Sequence, residues 1–149
     1  MLSKYLVLLV TLGLIFSLSA CGPAKSTAEW HAQQGYNLAE QGRYDEAIGE
    51  SSKAIELDPN LAMAYNNRAW AYGEKGLYDL AIADYNKTIE LDPSRSDSYN
   101  DRGFTYYEKG EYDKAITDFN KTIELDPNEL GPTSIVPTHT MRKVNTIKP

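Results

Sequence analysis

An all-α fold of stacked helix pairs is what this chain predicts, on three observations. The segment YDEAIGESSKAIELDPN, from Tyr44 to Asn60, returns as YDLAIADYNKTIELDPS (Tyr78 to Ser94) and again as YDKAITDFNKTIELDPN (Tyr112 to Asn128), a period of 34 residues. Within each copy apolar residues recur at helical spacing: Tyr44, Ala47, Ile48 and Ile55, and their equivalents through Tyr112, Ala115, Ile116 and Ile123. Gly42, Gly76 and Gly110 punctuate the units at one phase, and Pro59, Pro93 and Pro127 at another. A fixed period of this size is one supersecondary unit that cannot bury its apolar side alone and so piles onto its neighbours.

The three units run over about 28–60, 61–94 and 95–128. Each holds two helical stretches around its glycine, which suits the left-handed turn that ends the first helix because it has no Cβ to clash. The second helix begins near Tyr44, Tyr78 and Tyr112, with Asp45, Asp79 and Asp113 placed to complement its positive N-terminal end. It runs to Leu57, Leu91 and Leu125, where an Asp-Pro pair disfavours further helix.

Small residues occupy matched positions: Gly35, Ala69 and Gly103 in the first helices, Ala47, Ala81 and Ala115 in the second, then Ala54, Thr88 and Thr122. Tyr72 and Tyr106 hold an aromatic position that is Leu38 in the first unit. A second aromatic position reads His31, Tyr65 and Tyr99, and a third reads Ser51, Tyr85 and Phe119, so the first unit diverges most. This pattern resembles the tetratricopeptide repeat (TPR) family over residues 28–127. The resemblance implies a right-handed αα-superhelix, a TPR solenoid of three helix-turn-helix repeats, with the first helices lining its concave side. It also implies a protein or peptide as ligand.

By that resemblance the groove is lined by Glu29, Ala32, Tyr36 and Glu40, then Met63, Asn66, Trp70 and Glu74, then Asp97, Asn100, Phe104 and Glu108. Asn66 and Asn100 carry both donor and acceptor and suit an extended peptide backbone. Tyr36, Trp70 and Phe104 sit at equivalent positions as an aromatic ladder, and the carboxylates steer a basic segment. The competing reading gives the asparagines to turns and the aromatics to half-buried packing. Chaperone-binding members of the family grip a C-terminal carboxylate with Lys, Asn and Arg. The matching residues here are Ala32, Tyr36, Asn67, Asp97 and Asp101, of which Asn67 alone fits and two are acids. Arg68 and Arg102 read as partners of acids in neighbouring helices, in surface pairs of about 0–1 kcal/mol each.

The first twenty residues, MLSKYLVLLVTLGLIFSLSA, read as an export signal: Lys4, then an apolar run from Leu6 to Leu18 that is short for a membrane span. Leu18-Ser19-Ala20-Cys21 resembles the lipobox of bacterial lipoproteins, in which the cysteine is lipidated and becomes the mature N-terminus. Residues 21–27 then form a lipidated tether, and Gly22 rather than Asp after the cysteine favours the outer over the inner membrane of a Gram-negative host. An uncleaved anchor helix and ordinary secretory cleavage remain as alternatives. Cys21 is the single cysteine, which excludes an intramolecular disulfide.

A net charge of −6, with twenty acids against ten bases between Ala28 and Pro127, argues against nucleic acid as a partner. The two histidines, His31 and His139, form no metal or catalytic cluster, and no phosphate loop or nucleophile elbow is present, so neither an enzyme nor a cofactor or metal is expected. After Pro127, Gly131, Pro132, Pro137 and Pro149 forbid a long helix, and residues 128–149 read as an irregular or disordered tail. The last second helix should therefore show apolar surface around Ile116, Phe119 and Ile123. That face is covered by the tail, or pairs with another molecule, or marks a truncated or frame-shifted array. The leading expectation is a membrane-tethered protein–protein interaction module in the cell envelope, with a scaffold or assembly role. The alternative is a structural protein that self-associates weakly through its end faces.

Overall fold

The structure, a computed structural model, describes residues 27–127. The export signal, Cys21, the start of the tether and the 128–149 tail lie outside the described residues. Six helices follow one another: α1 (Ala28–Glu40), α2 (Tyr44–Leu57), α3 (Ala62–Glu74), α4 (Tyr78–Leu91), α5 (Ser96–Lys109) and α6 (Tyr112–Leu125). Thr27 caps α1, its Oγ1 accepting from the Trp30 N–H at 3.1 Å. Gly42, Gly76 and Gly110 take φ of 74°, 72° and 85°, with nothing within 4 Å of an added Cβ, so conformation and not space selects glycine there. After α2 and α4, Asp58 and Asp92 accept from the N–H two residues on, at 2.9 and 3.1 Å, which turns the chain into the next unit.

Each first helix packs on its own second helix and on the next first helix. Second helices also touch the following first helix, yet no second helix touches another. The array therefore bends with α1, α3 and α5 inside and α2, α4 and α6 outside, forming a helix-turn-helix superhelix.

The core is built from small side chains. Ala32, Ala47, Ala54, Ala64, Ala69, Ala71 and Ala81 are fully buried, and the largest fully buried side chains are only threonine and serine. Thr88 and Thr122 satisfy their hydroxyls by donating to the carbonyls of Asp84 and Asp118, at 3.0 and 3.1 Å. One contact repeats in each unit, between position 35, 69 or 103 and position 51, 85 or 119. A Cβ on Gly35 would meet Ser51 Oγ at 2.3 Å, Ala69 clusters with Tyr85, and a Cβ on Gly103 would meet the Phe119 ring at 2.8 Å. Close approach at this position leaves room for no more than glycine or alanine, whichever side chain faces it.

Arg68 and Arg102 correct the expectation of weak surface pairs. Arg68 donates from Nε and Nη2 to both oxygens of Asp84, at 2.7 and 2.9 Å, and from Nη1 to Ser52 Oγ at 3.1 Å. Arg102 repeats this one unit later, with Asp118 at 2.7 Å twice and Asn86 at 2.6 Å. The Asp84 and Asp118 side chains are 11% and 6% exposed, so these are bidentate pairs largely out of water. Tyr65 and Tyr72 lie against the Arg68 guanidinium, and Tyr99 and Tyr106 against that of Arg102, each within 6.0 Å. Each arginine thus joins three helices: its own, its partner in the same unit, and the second helix before. In the first unit Gln34 holds the arginine position, and Glu50 meets His31 Nδ1 at 2.6 Å instead. His31 is a packing residue there, as its position suggested.

At the far end, Tyr112, Ile116 and Ile123 are 49%, 57% and 41% exposed, whereas Ile48, Ile55, Ile82 and Ile89 are half-covered by the following first helix. Phe119 departs from the expectation and turns inward against Gly103 and Phe104. Two glycine-to-alanine changes should move stability in opposite directions. Gly49 lies mid-α2 with open space around it, so Gly49→Ala should add about 0.5–1 kcal/mol. Gly103→Ala should remove about 1–3 kcal/mol by displacing Phe119. Denaturant midpoints of the two variants check both signs.

Candidate functional site

On the inner surface a cavity of about 210 Å³ opens between α3 and α5 over α4. Trp70 and Glu74 of α3 line one wall, Phe104 and Glu108 of α5 the other, and Tyr85 of α4 lies beneath with Asp101 beside it. Four of the residues expected in the groove therefore meet in one place. The cavity exists at this junction because the aromatic column breaks there. Tyr36 leans on Trp70, with ring centroids 5.7 Å apart, and closes the junction of the first two units. Phe104 instead meets Phe119 edge-on at 5.1 Å, which Gly103 permits, and leaves a gap facing Trp70.

The other expected groove residues fare differently. Tyr36 is 42% exposed and available from the groove. Met63 is half-buried and packs against Ala32, Ala54 and Ala64 beside Ile55 and Leu61, its thioether filling space between units. Asn66 is engaged as well, accepting from Ser98 Oγ at 3.0 Å and so tying α3 to α5. Asn67 does the same one unit earlier, donating to the Ala32 carbonyl at 2.8 Å. Asn100 carries a buried Oδ1 with no hydrogen-bond partner among the described residues. The equivalent oxygen of Asn66 is satisfied by the Ser98 hydroxyl of the following unit. Asp97 accepts from Arg95 at 2.6 Å and from the Ser98 N–H at 2.8 Å. Burial opposes its ionisation, but Arg95 and Ser98 together hold it below the usual carboxylate range. It serves the start of α5.

Tyr85 was not singled out as a site residue. The signal available was position 51/85/119, where serine, tyrosine and phenylalanine alternate on the second helix and face the inner layer. Its side chain is 2% exposed, and burial pushes its phenol well above the usual tyrosine range, helped by the carboxylates of Asp101, Glu74 and Asp97. The floor of the cavity is thus a neutral hydroxyl inside a negative field.

Cations near the groove are already committed. Lys75 pairs with Asp45, and Lys109 pairs with Asp79 at 2.8 Å and Glu111 at 2.5 Å. Glu40, Glu74 and Glu108 occupy equivalent positions one turn beyond Tyr36, Trp70 and Phe104, and all three are exposed. Among the described residues none of them has an ion-pair partner; Glu74 accepts only from the Tyr44 hydroxyl, at 3.2 Å. Two further hollows, of about 230 and 310 Å³, lie at the turns beside Gly42 and Gly110. Their cations are spent locally, Arg43 on Glu46 and Lys114 on Glu111, which leaves little to recognise a ligand. No group of three or more His, Cys, Asp or Glu among the described residues is placed to hold a metal.

Tetratricopeptide repeat is the description of the family that matches residues 62–95 and 96–129, and a second TPR repeat description matches 35–76. Together they span more than half of the chain, which belongs to the tetratricopeptide repeat family. Among curated proteins, tetratricopeptide repeat protein 36 of Caenorhabditis elegans is 52% identical over 40 residues, 27% of this chain and 22% of that protein. The match thus spans about a fifth of that relative's length. The first TPR domain of Spaghetti (RPAP3), solved bound to the HSP90 peptide SRMEEVD, superposes with a TM-score of 0.70 at 28% identity, over 83% of this chain and 94% of that one. MamA superposes with a TM-score of 0.63 at 30% identity, over 72% of this chain and 61% of MamA. The chain is a TPR protein-interaction module.

Proposed function

We propose that this protein is a lipid-anchored, non-catalytic adaptor of the cell envelope that holds an extended peptide from a partner protein in its concave groove. The observation that carries the groove is the convergence of Trp70, Glu74, Phe104 and Glu108 around one cavity. At about 210 Å³ it is smaller than the roughly 300–1,000 Å³ of small-molecule sites, and suits one side chain of a longer ligand. Solved relatives that hold a peptide support the mode of binding. The anchor rests on the signal-like segment and Cys21. Acylation at Cys21 would supply the anchor, since two or more acyl chains hold a protein on a membrane stably.

A second reading, self-association, is carried by the exposed Tyr112, Ile116 and Ile123 on α6. Sedimentation of the full chain in detergent decides it. Size that grows with concentration and collapses in Ile116→Glu supports stacking, and a strict monomer removes it.

Two substitutions separate the halves of the main reading. Metabolic labelling with a tritiated fatty acid should mark the wild type and leave Cys21→Ser unlabelled and released from membranes; equal labelling of both refutes the anchor. Selection of a displayed peptide library on the full chain should enrich sequences that Trp70→Ala no longer retains. Equal retention by that variant refutes the groove.

A further inference from the structure

The geometry points to a basic ligand: an extended segment with lysine or arginine at every third position, its cations seated between the aromatic and glutamate columns of the inner helices. This inference rests on the groove reading and adds the chemistry of the occupant. Three features carry it.

The first is composition of the walls. Tyr36 with Glu40, Trp70 with Glu74 and Phe104 with Glu108 repeat one pairing, an aromatic ring and a carboxylate one helical turn apart on the inner face. A guanidinium or ammonium group satisfies both at once, through the ring quadrupole and a charge-assisted hydrogen bond. An anionic side chain satisfies neither, and a neutral one makes at most the weaker, uncharged contact with each.

The second is that these glutamates have no internal counter-ion among the described residues, while Lys75 and Lys109 at the rim do. A cavity with aromatic walls, carboxylate edges and a neutral tyrosine floor lacks a positive charge, and the ligand supplies it. The relative that binds SRMEEVD accommodates a peptide with three acids and one arginine. Here the positions that would meet such acids are held by Ala32, Tyr36, Asn67, Asp97 and Asp101, and Asn67 is already donating to the Ala32 carbonyl. The groove therefore selects the opposite charge.

The third is spacing. Neighbouring inner helices are in side-chain contact, through Asn67 with Ala32 and Asn66 with Ser98. Helices in such contact lie roughly 8–10 Å apart. A polyproline II strand advances about 9.3 Å in three residues, from its 3.1 Å rise. One cation per triplet thus matches one aromatic–glutamate pair per repeat.

The test uses the full chain in detergent micelles and fluorescein-labelled peptides of four Lys-Pro-Ala triplets, with Gln or Glu replacing Lys, and a control carrying its four lysines in one block. Anisotropy should show the triplet lysine peptide binding about tenfold tighter than the glutamine peptide, as expected for a charge-assisted contact in a partly enclosed site. Glu74→Gln/Glu108→Gln should erase most of that preference while circular dichroism stays helical, and added salt should weaken binding. Equal binding of the Lys and Gln peptides, or preference for the Glu peptide, overturns the charge assignment and leaves the groove intact if Trp70→Ala still abolishes capture. Equal binding of the triplet and block lysine peptides overturns the register. Failure of every peptide, together with library capture that ignores Trp70, removes the groove and this inference with it.

Discussion

Helices in this protein meet through alanine, glycine, serine and threonine, and that close approach is the constraint from which the rest follows. Side chains this small cannot make a thick core, so no helix pair is stable by its own contacts and each must be roofed by the next. Adjacent first helices come near enough for one side chain to reach the neighbour's backbone, as Asn67 reaches the Ala32 carbonyl. Second helices stay apart. The difference in spacing bends the stack, and the bend creates an inner surface.

Most polar groups within the stack are spent on holding it, on the inner helices as well as the outer. Arg68 and Arg102 each fasten three helices with a bidentate pair to an aspartate and a further bond to the preceding unit. Breaking such a pair leaves a buried carboxylate unpaired, which typically costs about 3–5 kcal/mol. The glutamates of the inner column, Glu40, Glu74 and Glu108, lie outside this arrangement and make no ion pair among the described residues. The acids that pair with arginine, Asp84 and Asp118, are thus distinct from the exposed inner column of the same repeats. The cavity opens at the junction between the second and third units, since Gly103 lets Phe119 draw Phe104 away from Trp70.

The helices were legible in the sequence because the 34-residue period locates their ends. The second helices begin at Tyr44, Tyr78 and Tyr112 and end at Leu57, Leu91 and Leu125, as the Asp-Pro pairs required. Register also brought Trp70, Glu74, Phe104 and Glu108 to equivalent positions, and these four share one cavity. Register did not reveal the internal contacts of Met63, Asn66 and Asp97, because a position on the inner face says nothing of which neighbours engage it. Asn66 is met by Ser98 of the following unit, and Asp97 by Arg95 two residues before it, neither of which a period encodes. Tyr85 was hidden for a related reason, since it belongs to an outer helix yet reaches inward beneath the cavity. The weight of the arginine pairs depends on burial, which a charge pattern does not report.

Native-state hydrogen exchange, read helix by helix, tests most directly whether each unit is held by its neighbours. Amides of α3 and α4, covered on both sides, should be the slowest, and those of α6, with Tyr112, Ile116 and Ile123 exposed, should exchange at least about tenfold faster. Protection in α6 equal to that in α4 would contradict the account.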